Sequence, residues 1–255
     1  MGLLYDLFIC RTDNFGVLVH DEATGTTAAI DAPDAVAIEQ RLRARGWHLG
    51  LILVTHRHGD HVAGNRALKA LTGCTIVGPA AEADAIPEID VRLGEGDEVR
   101  VGETIFHVIA TPGHTAGHIA YYSADAAVAF VGDTLFSLGC GRVETDMTTM
   151  WQSLQKIGAL PRETVLYCGH EYTEANGRFA ITIEPNNLDL EARIAEVSRL
   201  RASGGMSIPT SVGQELATNP FLRSDRPRLR RALGMEKVDP AEIFATLRRR
   251  KDAFR

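Results

Sequence analysis

The chain has 255 residues, of which 45% are hydrophobic, so it can bury a sizeable core and cannot be wholly disordered. Its 27 basic and 33 acidic residues give a formal net charge of −6, so composition offers no reason to expect a nucleic-acid partner. The N-terminus lacks a basic leader and no apolar span follows, which predicts a cytoplasmic protein without a membrane anchor. Four widely separated cysteines form no C-x-x-C pair and are expected to be free, mostly buried thiols.

Apolar runs and turn residues predict a succession of short strands and helices. Strands are expected at residues 7–10, 15–20, 26–30, 51–54, 75–77, 98–101, 104–109, 119–122, 128–131 and 164–167. Helices are expected at residues 34–45, 64–72 and 147–157. This order favours two similar halves, each a sheet covered by helices on its outer face. The predicted fold is therefore α/β, a four-layer αββα sandwich.

The composition changes after Asn187, where apolar residues recur at helical spacing. A capping pattern from Ser211 and the pair Asp239-Pro240 open two further helices, the last of which runs to about residue 254. We therefore expect a helical subdomain to follow the α/β domain. The predicted domains are residues 1–175 and 176–255.

The stretch Thr55–His61 places three imidazoles and one carboxylate directly after an apolar run that is typical of a buried strand. Alternate side chains of an extended chain point to one side, so His56 and His58 can converge on one point. Asp60 and His61 follow at the turn. Imidazole and carboxylate together suit zinc, iron or manganese, so we interpret the stretch as a metal site rather than a histidine-rich surface loop.

Three further segments place a candidate ligand just after an apolar strand. These ligands are His114, Asp133 and His170. With the first motif they make seven, more than the four or so that one tetrahedral zinc takes. Two ions that share Asp133 would explain the surplus and leave a position open for water. Such a site predicts a hydrolase that needs no serine or cysteine nucleophile.

The motifs Thr-His-x-His-x-Asp-His, Pro-Gly-His-Thr-x-Gly-His, Gly-Asp and Gly-His at these separations resemble the metallo-β-lactamase superfamily. The resemblance covers nearly the whole chain and implies the αββα fold with a binuclear site at the sheet edge. Zinc is the expected metal, with iron or manganese as alternatives. The implied ligands are His56, His58 and His114 for the first ion, Asp60, His61 and His170 for the second, and Asp133 as the bridge.

Within this superfamily the chain resembles the glyoxalase II, or hydroxyacylglutathione hydrolase, family. The shared segments are Phe136–Arg142, Tyr167–Thr173, Asn219–Arg223 and Arg248–Asp252, together with the helical C-terminal part. The resemblance implies hydrolysis of S-D-lactoylglutathione to D-lactate and glutathione, a step in methylglyoxal detoxification. A metal-bridging hydroxide is expected to attack the thioester, with Asp60 also orienting it. The implied glutathione contacts are Arg142, Tyr172, Arg248 and Lys251.

Arginine and lysine side chains suit the two carboxylates of glutathione. Composition alone favours a solvated helix face for Arg248 and Lys251, and only the resemblance favours a binding role. Replacing either residue by alanine is expected to raise KM with little change in kcat. One departure concerns Arg142, because the aromatic residue that usually follows in the family is missing here, which puts thiol selectivity in question.

Several alternatives stay open at this stage. A persulfide dioxygenase with one iron and a lactonase share the fold, although the seven ligands argue against the dioxygenase. A non-catalytic metal- or RNA-binding module is a third class, and a β-lactamase is disfavoured because no export signal is visible. The expected partner is a small glutathione thioester, without nucleic acid or membrane, and the expected state is a monomer. His118 is expected to hydrogen-bond a ligand or loop, and Thr55 to support a ligand carboxylate by hydrogen bonding.

Overall fold

Short apolar strands bounded by polar turns build a six-stranded sheet from the first part of the chain. In spatial order the strands are β1 (Leu3–Cys10), β2 (Asn14–Asp21), β3 (Thr27–Ile30), β4 (Leu49–Leu53), β5 (Thr75–Pro79) and β6 (Val91–Leu93). The first three strands pair antiparallel, and β3 to β6 run parallel. Parallel neighbours end at the same edge of a sheet, so the residues that follow β3 and β4 lie side by side.

The computed structural model, which describes residues 2–254, divides into two compact units. The first contains the described residues up to Ala110 together with Thr115–Gly132. The second contains Thr111–His114 and the described residues from Asp133 onward. The chain therefore passes between the units at the ends of strands that carry predicted metal ligands. The domain division at residue 175 stays a prediction.

Helices cover one face of the first sheet. They are α1 (Ala35–Arg45), α2 (Gly59–Val62) and α3 (Asn65–Thr72). The carboxylate of Asp34 caps α1 by accepting from the backbone N–H groups of Val36 and Ala37. The apolar faces of α1 and α3 join the sheet in one buried cluster. This cluster includes Leu18, Ile38, Leu42, Ile52, Leu68 and Ile76.

A four-stranded antiparallel meander packs on the other face of the first sheet. Its strands are β7 (Glu98–Val101), β8 (Thr104–Ala110), β9 (Ile119–Ser123) and β10 (Val128–Gly132). The rings of Tyr5 and Phe130 meet with centroids 6.5 Å apart. The buried hydroxyl of Tyr121 donates to the carbonyl of Val54 over 2.7 Å. This bond ties β9 to the chain just before the first histidine motif.

The second unit is mostly helical. Its short strands are β11 (Leu135–Phe136), β12 (Gly139–Cys140), β13 (Val165–Cys168) and β14 (Thr210–Ser211). Its helices are α4 (Met147–Gly158), α5 (Thr173–Ile183), α6 (Leu188–Ala202), α7 (Val212–Thr218), α8 (Pro227–Leu233) and α9 (Pro240–Ala253). Within residues 2–254, no helix is both long and apolar enough to span a membrane.

The predicted helices at 34–45 and 147–157 are confirmed as α1 and α4. The pattern did not predict α5 and α8. Gly177 in the middle of α5 lowers helix propensity, but its missing side chain lets Ile194 of α6 approach, 3.1 Å from where a Cβ would lie. In α8, Leu229 is the one buried residue, so the sequence offers too few apolar positions to show a period.

Candidate metal centre

The histidines of the first motif lie close together in the segment that follows β4. His56 Nε2 lies 3.1 Å from His58 Nδ1, and the rings of His56 and His61 have centroids 4.1 Å apart. Two nitrogens bound to one tetrahedral zinc at 2.0–2.1 Å lie about 3.3 Å apart. His56 and His61 are buried and His58 is half-buried. The spacing of the His56 and His58 nitrogens therefore fits one divalent ion between them.

The residues that follow form a helix where the sequence predicted a turn. His58 precedes the four-residue helix α2, which carries Asp60 and His61. His61 Nε2 lies 3.8 Å from Asp60 Oδ2. Asn14, at the start of β2, donates its amide to both the backbone carbonyl (3.1 Å) and Oδ2 (3.2 Å) of Asp60. These bonds fix the Asp60 carboxylate beside the imidazole of His61.

Asp31 is a site residue that the sequence motifs did not predict. It is buried after β3, and its Oδ2 accepts from His61 Nδ1 at 2.7 Å and from Thr55 Oγ1 at 2.8 Å. Its Oδ1 accepts from the Thr55 backbone N–H at 2.7 Å. Since the Thr55 hydroxyl gives its proton to Asp31, it accepts from His56 Nδ1 at 3.0 Å. Asp31 therefore fixes the tautomers of both histidines and leaves each Nε2 for a metal.

The imidazoles that Asp31 orients fit a divalent ion. Ligand atoms of Asp31, His56 and His61 all lie within 4.8 Å of one another. A histidine that binds a metal commonly donates its other ring N–H to a carboxylate or carbonyl, as His61 does here. A signal for Asp31 was present, because it directly follows an apolar strand as the predicted ligands do. Thr55 hydrogen-bonds the carboxylate of Asp31, which is not among the predicted metal ligands.

A second buried carboxylate, Glu82, holds the loops on either side of His56. Its Oε2 accepts from the backbone N–H of Arg57, and its Oε1 from that of Gly117, both at 2.9 Å. A Cβ on Gly117 would lie 2.6 Å from Glu82 Cγ, so this approach requires glycine. The ring of His118 stacks on that of His56, with centroids 4.9 Å apart. Glu82 thereby fixes the backbone between His56 and His58.

In the second unit, His114 and His170 converge on Asp133. His114 Nε2 lies 3.5 Å and His170 Nε2 3.4 Å from Asp133 Oδ2, and all three residues are buried. His114 Nδ1 donates to the carbonyl of Arg142 over 2.9 Å, which again leaves Nε2 for a metal. A Cβ on Gly141 would lie 2.0 Å from the Asp133 carbonyl oxygen. The segment Gly139-Cys140-Gly141 therefore needs its second glycine for this fit.

The four predicted glutathione contacts differ in exposure. The side chain of Arg142 is exposed, and Tyr172 is 37% exposed with its ring stacked on His170, centroids 4.8 Å apart. Lys251 is half-buried and donates to the carbonyl of Ala175 at 3.1 Å. Burial, reinforced by the charge of Arg248, lowers the pKa of the Lys251 ammonium.

Arg248 is the most buried of the four, at 4% exposure. Its Nη1 donates to the carbonyl of Cys140 at 2.9 Å, while Nε and Nη2 donate to Asp252 at 3.1 and 2.7 Å. Burial opposes the guanidinium charge, but Cys140 and Asp252 outweigh it and raise the pKa of Arg248. Its donors are thus occupied within the protein.

Family models match both parts of the chain. The metallo-beta-lactamase superfamily model matches residues 22–170, and the hydroxyacylglutathione hydrolase C-terminus model matches residues 171–254. A hydroxyacylglutathione hydrolase from Brucella anthropi is 55% identical over 248 residues, 97% of this chain and 95% of the relative. One from Chelativorans sp. is 52% identical over 255 residues, 100% of both chains. The chain belongs to the hydroxyacylglutathione hydrolase family.

Solved structures agree with this fold. The crystal structure of ETHE1 from Myxococcus xanthus superposes with a TM-score of 0.66 at 26% identity, covering 99% of this chain and 100% of the other. A metallo-β-lactamase from Staphylococcus aureus gives a TM-score of 0.67 at 20% identity, covering 97% and 71%. The predicted α/β fold with a helical C-terminal part is confirmed. Hydroxyacylglutathione hydrolases are thioester hydrolases, so the predicted enzyme class is confirmed as well.

Proposed function

We propose that the chain hydrolyses the thioester of S-D-lactoylglutathione, or of another 2-hydroxyacyl-glutathione, to the hydroxy acid and glutathione. The observation that carries this proposal is the pair of buried imidazole–carboxylate clusters in a chain so similar to named hydroxyacylglutathione hydrolases. Each cluster presents histidine nitrogens whose ring partners are already held by the protein. This arrangement supports metal-assisted hydrolysis of a carbonyl compound.

The metal ligands of the proposal are those that the family resemblance implies. When bound, two divalent ions would activate water and polarise the thioester carbonyl. Zinc is the proposed metal because imidazole and carboxylate ligands suit it, with iron and manganese as alternatives. The proposed ligands are His56, His58 and His114 for one ion, Asp60, His61 and His170 for the other, and Asp133 for both.

The protein's own groups orient the reaction. The Asp60 carboxylate, which accepts from Asn14, would orient the attacking water through whichever of its oxygens is not used for metal binding. Asp31 keeps His61 and, through Thr55, His56 in the tautomers that present Nε2. Water adds to the carbonyl carbon, the carbon–sulfur bond breaks, and the glutathione thiolate leaves and takes a proton from solvent.

The glutathione moiety is proposed to lie against the second unit. Tyr172 offers an exposed ring and hydroxyl beside His170, and Arg142 offers an exposed guanidinium. Lys251 supplies a positive charge for a carboxylate. For Arg248, a substrate carboxylate would take the place of Asp252, whose side chain is 45% exposed. The residues after Arg142 lack the family's aromatic residue, and we propose weaker discrimination between thiols as the result.

A comparison of substrates tests this function. Zinc-loaded protein is expected to hydrolyse S-D-lactoylglutathione far faster than a lactone, and to take up no oxygen with glutathione persulfide. Protein stripped by a chelator serves as the control and should regain activity when zinc returns. Faster hydrolysis of the lactone, or oxygen uptake with iron-loaded protein, would instead identify the lactonase or dioxygenase alternative.

A further inference from the structure

Buried side chains hold the backbone of the turn Phe136–Cys140. We call this segment the clamped turn. Four side chains from later in the chain bind its backbone, and each is at least 95% buried. They are Asn176, Glu215, Asn219 and Arg248.

The four side chains bind one N–H group and four carbonyls of the clamped turn. The carbonyl of Ser137 accepts from Asn176 at 3.1 Å, and the N–H of Leu138 donates to Glu215 at 2.8 Å. The amide of Asn219 donates to the carbonyls of Phe136 (3.2 Å) and Gly139 (2.9 Å). Leu138 has a left-handed backbone, φ 59°, so these bonds also sustain a conformation that a non-glycine residue rarely adopts.

Arg248 holds the last residue of the clamped turn. Its Nη1 donates to the carbonyl of Cys140 at 2.9 Å, and its guanidinium carbon lies 5.4 Å from the centre of the Phe221 ring. A residue whose only task was to capture an incoming carboxylate would keep its donors open to solvent. Burying a guanidinium costs free energy, which here is offset by the ion pair with Asp252 and the bond to the Cys140 carbonyl.

The clamped turn leads directly to a proposed metal ligand. Two residues after Cys140, the carbonyl of Arg142 accepts from His114 Nδ1 at 2.9 Å. The intervening Gly141 is packed against the Asp133 carbonyl with no room for a side chain. Displacement of the Cys140 carbonyl would therefore carry the Arg142 carbonyl with it and release the His114 imidazole.

We infer that Arg248 is a positioning residue that holds the Arg142 carbonyl against His114 and so keeps the metal bound. This inference rests on the proposed function, and it adds a second task to the proposed contact of Arg248 with glutathione. One arm of the guanidinium, Nη1, acts on the metal ligand, whereas the edge that faces Asp252 is the one available to substrate. C-terminal helix α9 then contributes to metal retention as well as to substrate binding.

The rate of zinc release distinguishes a role of Arg248 in metal retention from a role in substrate binding. The variants are Arg248→Ala, Arg248→Lys and, as a matched control, Arg249→Ala, whose exposed side chain on the same helix pairs with Glu242. Full-length zinc-loaded proteins are mixed with excess chelator, and the rate of zinc release is followed. The same proteins are assayed with S-D-lactoylglutathione and with S-lactoyl-N-acetylcysteamine, which has no carboxylate.

Arg248→Ala is expected to release zinc about tenfold faster than wild type and to lose kcat with both thioesters. Arg248→Lys retains one donor, so its rate of zinc release should fall between those of wild type and Arg248→Ala. This variant tests the inference if the alanine variant fails to fold. Arg249→Ala should match wild type.

Zinc release at the wild-type rate in Arg248→Ala, with only a higher KM for the glutathione thioester, would overturn the inference. A wild-type protein that hydrolyses neither thioester would instead overturn the proposed function, and faster zinc release in Arg248→Ala would still support the positioning of His114.

Discussion

At the scale of single residues, Asp31 shows how one carboxylate organises several ligands. It binds His61 directly and His56 through the hydroxyl of Thr55. Its backbone is left-handed, φ 56°, a conformation that costs about 1 kcal/mol or more in a residue other than glycine. The hydrogen bonds to His61 and Thr55 sustain this conformation, which aims the carboxylate at both histidines.

Replacing Asp31 by asparagine should weaken metal binding. In the wild type, Oδ2 accepts from both the Thr55 hydroxyl and His61, and Oδ1 accepts from the Thr55 backbone N–H. Asparagine has a single acceptor oxygen, so it loses at least one of these bonds together with the negative charge that favours the histidine N–H donors. We expect a 10- to 100-fold loss of zinc affinity, about what changes in such supporting groups cost. Competition with a chromophoric chelator measures it. Asp34→Asn is the matched control, since asparagine also caps a helix, and an equal loss there would contradict the role of Asp31.

The four cysteines are free and buried, as the sequence predicts. Burial raises the pKa of Cys10 and Cys168 to about 12 and that of Cys140 to about 11, from an ordinary value near 9. The reactive thiolate is therefore scarce in the folded protein. Because unfolding returns these thiols to their ordinary pKa, their contribution to stability is present below about pH 9 and is lost as the pH rises toward 12.

Alkylation tests this prediction. At pH 8 the native protein should incorporate no iodoacetamide and keep its activity, whereas protein unfolded in guanidinium chloride should take up four equivalents, one for each cysteine. Mass spectrometry counts the adducts. Rapid labelling of Cys140 in the native state would show that its thiol is accessible, contrary to its burial.

Residue types and spacing sufficed to propose the seven ligands, because each follows an apolar strand in a recurring motif. Glu82 could not be found in this way. Its role depends on tertiary contacts with the backbone N–H groups of Arg57 and Gly117, and backbone partners leave no trace in the sequence. The burial of Arg248 was also invisible, since charge and helical position alone favour a solvated face.

At the scale of secondary-structure elements, the ends of strands position the chemistry, and glycines there permit close packing. Gly132 ends β10 with φ 47°, and a Cβ on it would lie 2.7 Å from both His118 Nε2 and Thr55 Oγ1. Strand end and histidine ring therefore fit together only because this residue has no side chain.

Gly132→Ala should destabilise the protein by about 3 kcal/mol, from left-handed strain together with overpacking. Gly46→Ala, at φ 67° with open space around the added methyl group, should cost only about 1 kcal/mol. Urea unfolding of the two variants measures the difference. Equal losses would mean that the contact with His118 and Thr55 relaxes without cost.

Helices could be predicted from the sequence where apolar residues recur with a clear helical period. They could not be predicted where tertiary packing overrides the low helix propensity of the residues. The predicted bounds of α1 are confirmed to within one residue. The carboxylate of Asp34 caps its start, and Gly46 ends it in a left-handed conformation. By contrast α5 contains a glycine that serves packing, and α8 buries a single leucine. The functional segments were easier to recognise than the helices that support them.

At the scale of the whole molecule, metal binding and folding are linked. In the folded chain the proposed ligands lie close together within each unit, whereas in the unfolded chain they are dispersed from residue 56 to residue 170. Zinc therefore binds the native state preferentially and stabilises it by mass action. The monomeric state and the absence of a nucleic-acid partner stay predictions.

Free zinc at 100 times its dissociation constant should raise the unfolding temperature by about 5–10 °C, from a stabilisation of about 2.7 kcal/mol. Scanning calorimetry of chelator-treated protein with and without zinc measures the shift. His170→Ala, which lacks one proposed ligand, is expected to show a smaller rise. An unfolding temperature that does not respond to zinc would contradict specific binding to the native state.

The bond between Arg248 and Cys140 joins residues 108 positions apart, so it can form only late in the synthesis of the chain. During translation, the histidine motif and the clamped turn leave the ribosome long before α9 exists. Until that last helix has emerged and docked, the Arg142 carbonyl lacks the support that holds His114. Nascent chains would thus retain zinc poorly, and stable metal loading would follow the docking of α9.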